Sequence, residues 1–262
     1  LSSGDPDFPF CLAWANETWK GFDHGLKNRN ILIEQLYPGV KDYTDHFYEV
    51  LPAFKDKRYI TVNGKPLFMI YKPLAIEEIK VFMETWKKLA VENGLSGIYF
   101  VGHHNDLRNS LNEVIVTGVD AVNTTRLNNY IINHRSFIEK AISRIKRIFI
   151  GNASAYAIPY KIMSKYFLVK EEDKLPNVFP SIIPGWDHTP RSGREGLVMT
   201  ESTPELFEKH VKEALELVRD KDDENKIIFI KSWNEWAEGN YMEPDLKWGK
   251  KYLEAFKRQV VK

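Results

Sequence analysis

The sequence predicts an α/β fold of the (β/α)8 TIM-barrel type, lacking its first two βα units, and three observations predict it. Apolar runs of strand length alternate with stretches of helical periodicity. Each apolar run empties at its C-terminal end into polar, charged and aromatic residues, the polarity of a barrel whose chemistry sits at that end of its strands. No glycine-rich phosphate loop of the G-x-G-x-x-G or P-loop kind follows any strand, which argues against an open doubly wound sheet.

In chain order, residues 8–17 (FPFCLAWANE) read as a buried strand ending at Trp14, Asn16 and Glu17, followed by a polar loop, 18–30, suited to function. Residues 43–55 place Phe47, Val50, Leu51 and Phe54 at helical spacing, with Pro52 to end or kink the helix. Strands 59–62 and 65–71 are joined by Asn63-Gly64, the strongest two-residue hairpin signal, and the second delivers Tyr71 and Lys72. The clearest helix is 76–93, with Ile79, Phe82, Met83, Trp86, Leu89 and Ala90 on one stripe and Gly94 placed to stop it. Strand 97–106 ends at His103, His104, Asn105 and Asp106; because strand neighbours alternate faces, only one of the two histidines is expected to face a site.

A short helix, 107–117, leads to strand 120–127. A helical insertion of about two helices is expected over 128–176. One of these carries Phe137, Ala141, Ile142, Ile145 and Phe149 beside Arg135, Lys140, Arg144, Lys146 and Arg147, a face suited to solvent, to a membrane or to a phosphorylated carrier. The rhythm resumes at 177–191, an apolar segment delivering Trp186, Asp187, His188 and Arg191. Thr203-Pro204-Glu205 opens a helix in the order cap, proline, acid. Residues 227–230 form the last strand, expected to be buried, and 248–261 the last helix. With the hairpin 59–71 counted once, six strands alternate with helices, two short of a barrel. With the opening LSSGDPDF lacking a methionine, the chain is expected to begin inside a longer gene product. Its exposed sheet edges would then favour self-association.

At 262 residues, 43% hydrophobic and 13% aromatic, the chain can bury one substantial core, so residues 1–262 are expected to form a single barrel domain. Thirty-seven basic against 36 acidic residues give no global attraction to nucleic acid. The single cysteine, Cys11, lies in an apolar run and reads as a small buried hydrophobe. No metal-ligand spacing appears, and no cofactor is expected. No stretch reaches the roughly 20 apolar residues of a membrane span, nor does the start resemble a signal peptide; the expected location is the cytoplasm.

The chemistry concentrates after the last strand. Glu235 and Glu238 stand three residues apart, close enough to reach one glycosidic bond and divide acid and base work. Trp233, Trp236 and Tyr241 offer ring faces for sugars, while Asn234 and Glu243 offer hydrogen-bonding groups. Residue chemistry alone fits an active site and a hydrogen-bonded strand end equally. Trp14, Asn16, Glu17, Tyr71, Lys72, His103, His104, Trp186, Asp187 and Arg191 are further candidates for binding a glycan, the expected partner; Arg191 and Arg194 would suit an acidic or phosphorylated sugar.

The stretch SWNEWAEGNYMEPD resembles the hallmark of the WbsX-like proteins, which are similar to glycoside hydrolase family 99, the endo-α-mannosidases and mannanases. DPDFPFCLAWANETW, ILIEQLYPG, LPAFKDKRYITVNGKPLFMIYKP and PGWDHTPR resemble further blocks of the group, so the resemblance spans nearly the whole chain. It implies that Glu235 is the base that deprotonates the sugar's 2-hydroxyl, and that Glu238 protonates the leaving oxygen, with retention through an anhydro-sugar. Ala237 stands where family 99 enzymes commonly have histidine. The resemblance implies an enzyme of bacterial surface polysaccharide (O-antigen) metabolism, hydrolase or glycosyltransferase. The competing expectation is a non-catalytic carbohydrate-binding protein on the same scaffold. A nucleotide-sugar transferase of the Rossmann-like kind is disfavoured, because no D-x-D motif follows a strand.

Overall fold

A computed structural model describes residues 4–21, 30–149 and 156–261. Residues 22–29 of the polar loop at 18–30, where function was expected, lie outside them. The chain divides into two compact units, one made of the described residues of Leu1–Lys20 and Asn30–Asn123, the other of those of Gly21–Arg29 and Thr124–Lys262.

The first unit contains β1 (Leu12–Trp14), a short antiparallel pair β2 (Trp19–Lys20) and β3 (Ile31–Ile33), α1 (Val40–Phe54), β4 (Thr61–Val62), β5 (Lys65–Ile70), α2 (Ile79–Glu92), β6 (Tyr99–His104), α3 (Leu111–Ile115) and β7 (Ala121–Thr124). Strands β1, β5 and β6 pair in parallel, and β7 follows β6 in the sheet order. Every residue of β6 is buried, as expected of a strand covered on both faces. The Asn63-Gly64 turn forms as predicted, with Val62 opposite Lys65 and φ of 50° and 70° at the two turn residues. Pro52 sits in the last turn of α1, two residues before its end. Helices α1 and α2 cover the strands through an aromatic core of Phe47, Phe54, Phe68, Phe82, Trp86 and Phe100. The Trp86 indole N–H is satisfied there by the Tyr43 carbonyl at 2.8 Å.

The second unit contains α4 (Phe137–Phe149), β8 (Tyr156–Pro159), α5 (Tyr160–Met163), α6 (Lys170–Asp173), β9 (Val178–Ile182), α7 (Thr189–Ser192), β10 (Leu197–Thr200), α8 (Pro204–Val218), β11 (Phe229–Ile230), β12 (Asn234–Glu235), β13 (Asn240–Tyr241) and α9 (Lys251–Val260). Strands β9 and β11 pair in parallel, and β12 and β13 form an antiparallel hairpin. Helix α8 begins as the sequence predicts, with the Thr203 hydroxyl accepting the Leu206 N–H. It packs Phe207, Val211 and Ala214 with Ile182 of β9 and with Tyr252, Leu253 and Phe256 of α9. Arg126 is buried and satisfied, with one guanidinium nitrogen 2.9 and 2.8 Å from the two Asp173 oxygens and the other 2.6 Å from Glu172.

Three local expectations change. The first strand is three residues long and only half-buried, because its sole parallel partner among the described residues is β5. Residues 128–176 are more than two helices: β8 runs parallel to β10, a strand the sequence reading did not mark, with Leu197 opposite Tyr156 and Thr200 opposite Pro159. The last strand, β11, is two residues long and part-exposed rather than buried, with β9 as its one partner among the described residues. Cys11 is half-buried, and burial pushes its thiol up, away from the reactive thiolate.

Candidate active site

The second unit carries Glu235 and Glu238 on a hairpin fixed from both sides. After β11 the Lys231 N–H continues the ladder to the Ile182 carbonyl. The Ser232 hydroxyl donates to the Asn240 carbonyl at 2.7 Å and accepts the Glu235 N–H at 3.3 Å, while the Ser232 N–H reaches the buried Asn240 side-chain oxygen at 3.1 Å. Between β12 and β13 the chain makes one tight turn through Trp236, Ala237 and Glu238 and exits at Gly239 with φ 55°. A Cβ at Gly239 would lie 2.7 Å from Asp187 Cβ and 2.8 Å from its backbone nitrogen. Glycine is therefore required here by both dihedral and space. That close approach lets the Asp187 N–H donate to the Glu238 carbonyl at 2.7 Å.

The segment after β9 supplies the other half of the site. Asp187 accepts both the N–H and the hydroxyl of Thr189, at 2.9 and 2.6 Å, a local turn that starts α7. Helix α7 then carries Arg191 to the glutamates. One guanidinium nitrogen lies 3.0 Å from Glu238 Oε1 and the other 3.2 Å from Glu235 Oε1, so one planar cation bridges both carboxylates. His188 Nε2 stands 3.5 Å from the same Glu238 oxygen, and its Nδ1 meets the Ser192 hydroxyl at 2.7 Å.

The two carboxylates occupy different surroundings: the Glu235 side chain is 38% exposed, that of Glu238 17%. Burial alone would raise the Glu238 carboxyl. The His188 hydrogen bond and the charges of Lys231, Arg191 and His188 outweigh that effect, and its pKa is lowered.

The aromatic residues divide by role. Trp236 and Tyr241 stack on one another with ring centres 3.7 Å apart. Glu243 accepts the Trp236 indole N–H at 2.6 Å, and Asp245 accepts the Tyr241 hydroxyl at 3.2 Å. Trp233 and Asn234 are exposed on the hairpin. Trp186 is buried, parallel to His188 and covered by the Lys231 ammonium at 5.6 Å from its ring centre. A cavity of about 620 Å³ opens beside this group, lined by Trp186, Asp187, Trp236, Tyr241, Trp248 and Tyr252 among others. That volume is in the range of small-molecule sites.

The first unit gathers its own candidates at the C-terminal ends of β1, β5 and β6. The buried Asn16 side chain donates to the Tyr37 hydroxyl (3.0 Å) and the Lys72 carbonyl (2.9 Å), and accepts the Lys72 N–H (2.7 Å). Its amide thus ties the end of β1 to the end of β5. Trp14 packs against Tyr37, His46 and Phe82, and Glu17 pairs with Lys72 at 3.5 Å. The His103 ring lies against Tyr71, and His104 Nε2 is 2.9 Å from the Asn109 carbonyl oxygen. Both histidines are buried, and both border a small cavity of about 80 Å³ with Tyr71, Lys72 and Asn105.

His188 and Lys231 were not selected from the sequence as site residues, yet they set the charge at Glu238. Their signals were adjacency to Trp186-Asp187 and to the end of the last strand. The side chain of Arg194 lies outside the described residues. Among the described residues no group of three or more His, Cys, Asp or Glu is arranged to hold a metal ion, and no helix is long and apolar enough to cross a membrane.

A family model described as glycosyltransferase WbsX matches residues 1–256. An uncharacterized protein, WxcX, of Xanthomonas campestris pv. campestris is 23% identical over 259 residues, 97% of this chain and 35% of the relative, in both strain ATCC 33913 and strain B100. The chain thus spans about a third of the length of these curated relatives. Among solved structures, a glycoside hydrolase-like protein shares the fold with a TM-score of 0.57 at 19% identity, over 86% of this chain and 62% of that one. A family 99 endo-α-mannosidase from Bacteroides thetaiotaomicron aligns at a TM-score of 0.47 and 17% identity, over 85% of this chain and 61% of that one.

Proposed function

The chain belongs to the glycosyltransferase WbsX family, and from that premise we propose a carbohydrate-active enzyme that cleaves or transfers α-linked glycans at Glu235 and Glu238. The observation that carries the proposal is the Arg191 bridge, which brings both carboxylates to one guanidinium in unequal surroundings. The fold proposed with it is of the (β/α)8 type, in a single barrel domain. It is supported by parallel strands and helices within each unit and by the fold shared with the glycoside hydrolase-like protein. The proposed setting is bacterial surface polysaccharide metabolism, supported by family membership.

The proposed course is retaining, through the sugar's own 2-hydroxyl. Glu235 takes the 2-hydroxyl proton as that oxygen attacks the anomeric carbon, and Glu238 gives a proton to the departing glycosidic oxygen. Glu238, now ionised, takes a proton from water or an acceptor hydroxyl, which opens the anhydro-sugar, and Glu235 returns its proton to the 2-oxygen. Two inversions restore the starting configuration. The first step requires Glu238 in its protonated form, whereas its carboxyl is held low by His188, Lys231 and Arg191. The proposal therefore includes displacement of the Arg191 guanidinium by the entering glycan, which removes one of the cations that hold Glu238 low and moves its pKa upward. The exposed Trp233 and the Trp236–Tyr241 stack are the proposed sugar platforms.

The test is turnover of an α-linked mannooligosaccharide, the class the resemblance implies, by the intact chain and by Glu235→Gln and Glu238→Gln. Each substitution is expected to lower kcat/KM by about 10²–10⁴-fold with the fold unchanged by circular dichroism. Turnover undiminished in both variants rejects the catalytic assignment, and glycan binding without turnover in the wild type establishes the non-catalytic reading instead.

A further inference from the structure

Helix α4 has no part in the glutamate site. Four large apolar side chains stand out from it: Phe137 is 85% exposed, Ile138 69%, Ile142 47% and Ile145 54%. At 100° per residue these positions, with Ala141, fall on one stripe. The rest of the helix sequence is Glu139, Ser143 and four cations, Lys140, Arg144, Lys146 and Arg147.

The one acid is spent at the helix start. Glu139 closes a capping box, accepting the Ser136 N–H at 2.8 Å while its own N–H reaches the Ser136 hydroxyl at 3.2 Å, and it also accepts the Tyr130 hydroxyl. After Glu139 the helix sequence therefore holds four cations and no further acid. In a chain that is nearly neutral as a whole, this is a local concentration of positive charge in a helix that also exposes hydrocarbon.

Leaving so much apolar surface in water is unfavourable, and the charge of the helix decides what covers it. A second copy of the helix would bring like charges together, whereas a surface with hydrocarbon below and anionic groups above matches both features at once. We infer that α4 is an interfacial helix that lies in the surface of an anionic lipid bilayer, with Phe137, Ile138, Ile142 and Ile145 in the headgroup–acyl boundary and the lysines and arginines on the lipid phosphates. It binds without spanning, and it is independent of the glycan assignment.

The experiment is sedimentation of the intact chain with vesicles of phosphatidylglycerol and phosphatidylcholine in equal parts, against vesicles of phosphatidylcholine alone. The chain is expected to pellet with the anionic vesicles and not with the neutral ones, and to be released as salt near 1 M shortens the screening length to about 3 Å. The double variant Ile142→Asp, Ile145→Asp is expected to weaken binding at least about tenfold. The variant with Lys140, Arg144, Lys146 and Arg147 each changed to Gln, which leaves the apolar stripe intact, is expected to do the same, with circular dichroism and melting temperature unaltered. No pelleting with anionic vesicles at low salt, equal pelleting with neutral ones, or binding unchanged in both variants overturns the inference. So does a dimer in solution that the Asp variant dissolves while vesicle binding is nil.

Discussion

At the scale of single residues, the charge state of Glu238 is a contest between burial, which favours the neutral acid, and the His188, Lys231 and Arg191 groups, which favour the carboxylate. Because the pKa falls below its usual 4.5 on folding, ionised Glu238 contributes stability above that value, and the contribution is lost as pH falls through the lowered one. Replacing Arg191 by Gln removes one of the cations that favour the Glu238 carboxylate. The expected outcome is an upward shift of the Glu238 titration, followed by carbon-13 resonances of the carboxyl; an unchanged or lower midpoint contradicts it. The glutamate pair itself was legible from its three-residue spacing and aromatic neighbours. The bridge was not, since Arg191 lies 44 and 47 positions away and no local pattern encodes such an ion pair. Asn16 shows the converse, a strand-end amide that looks available for sugar hydroxyls and is engaged with Tyr37 and Lys72.

At the scale of elements, the sequence was most informative where structure is local. The Asn63-Gly64 turn and the Thr203 cap need only neighbouring residues to form, and both appear as expected. The pairing of β8 with β10 joins segments about 40 positions apart, and the part-exposed state of β11 depends on which strands flank it. Neither is encoded in a window of a few residues. Helix α8 carries a less visible feature, His210, which is buried against Phe167 with neither ring nitrogen hydrogen-bonded. Burial lowers its pKa from 6.5 to about 3. The unfolded chain therefore takes up a proton that the folded chain refuses, and stability is lost as pH falls from about 6.5 toward 3. His210→Phe removes that coupling. Its melting temperature relative to wild type is expected to improve progressively as pH is lowered from neutral to about 4; a difference independent of pH contradicts the account.

At the scale of the whole molecule, the family match covers residues 1–256, while the chain spans 35% of its curated relatives. Parallel strands alternating with helices, with polar and aromatic residues at strand ends, were legible because the strands are short continuous apolar runs and the helices carry a 3.6-residue period. The two proposals rest on different elements of the second unit: a hairpin carrying two glutamates, and a helix whose sequence combines exposed apolar residues with cations. The central claim concerns the first, and the most direct measurement is the anomer released first when the intact chain turns over an α-linked mannooligosaccharide, read by proton NMR before mutarotation. The account predicts the α-anomer, because two successive inversions through the anhydro-sugar restore the configuration. Release of the β-anomer would contradict it.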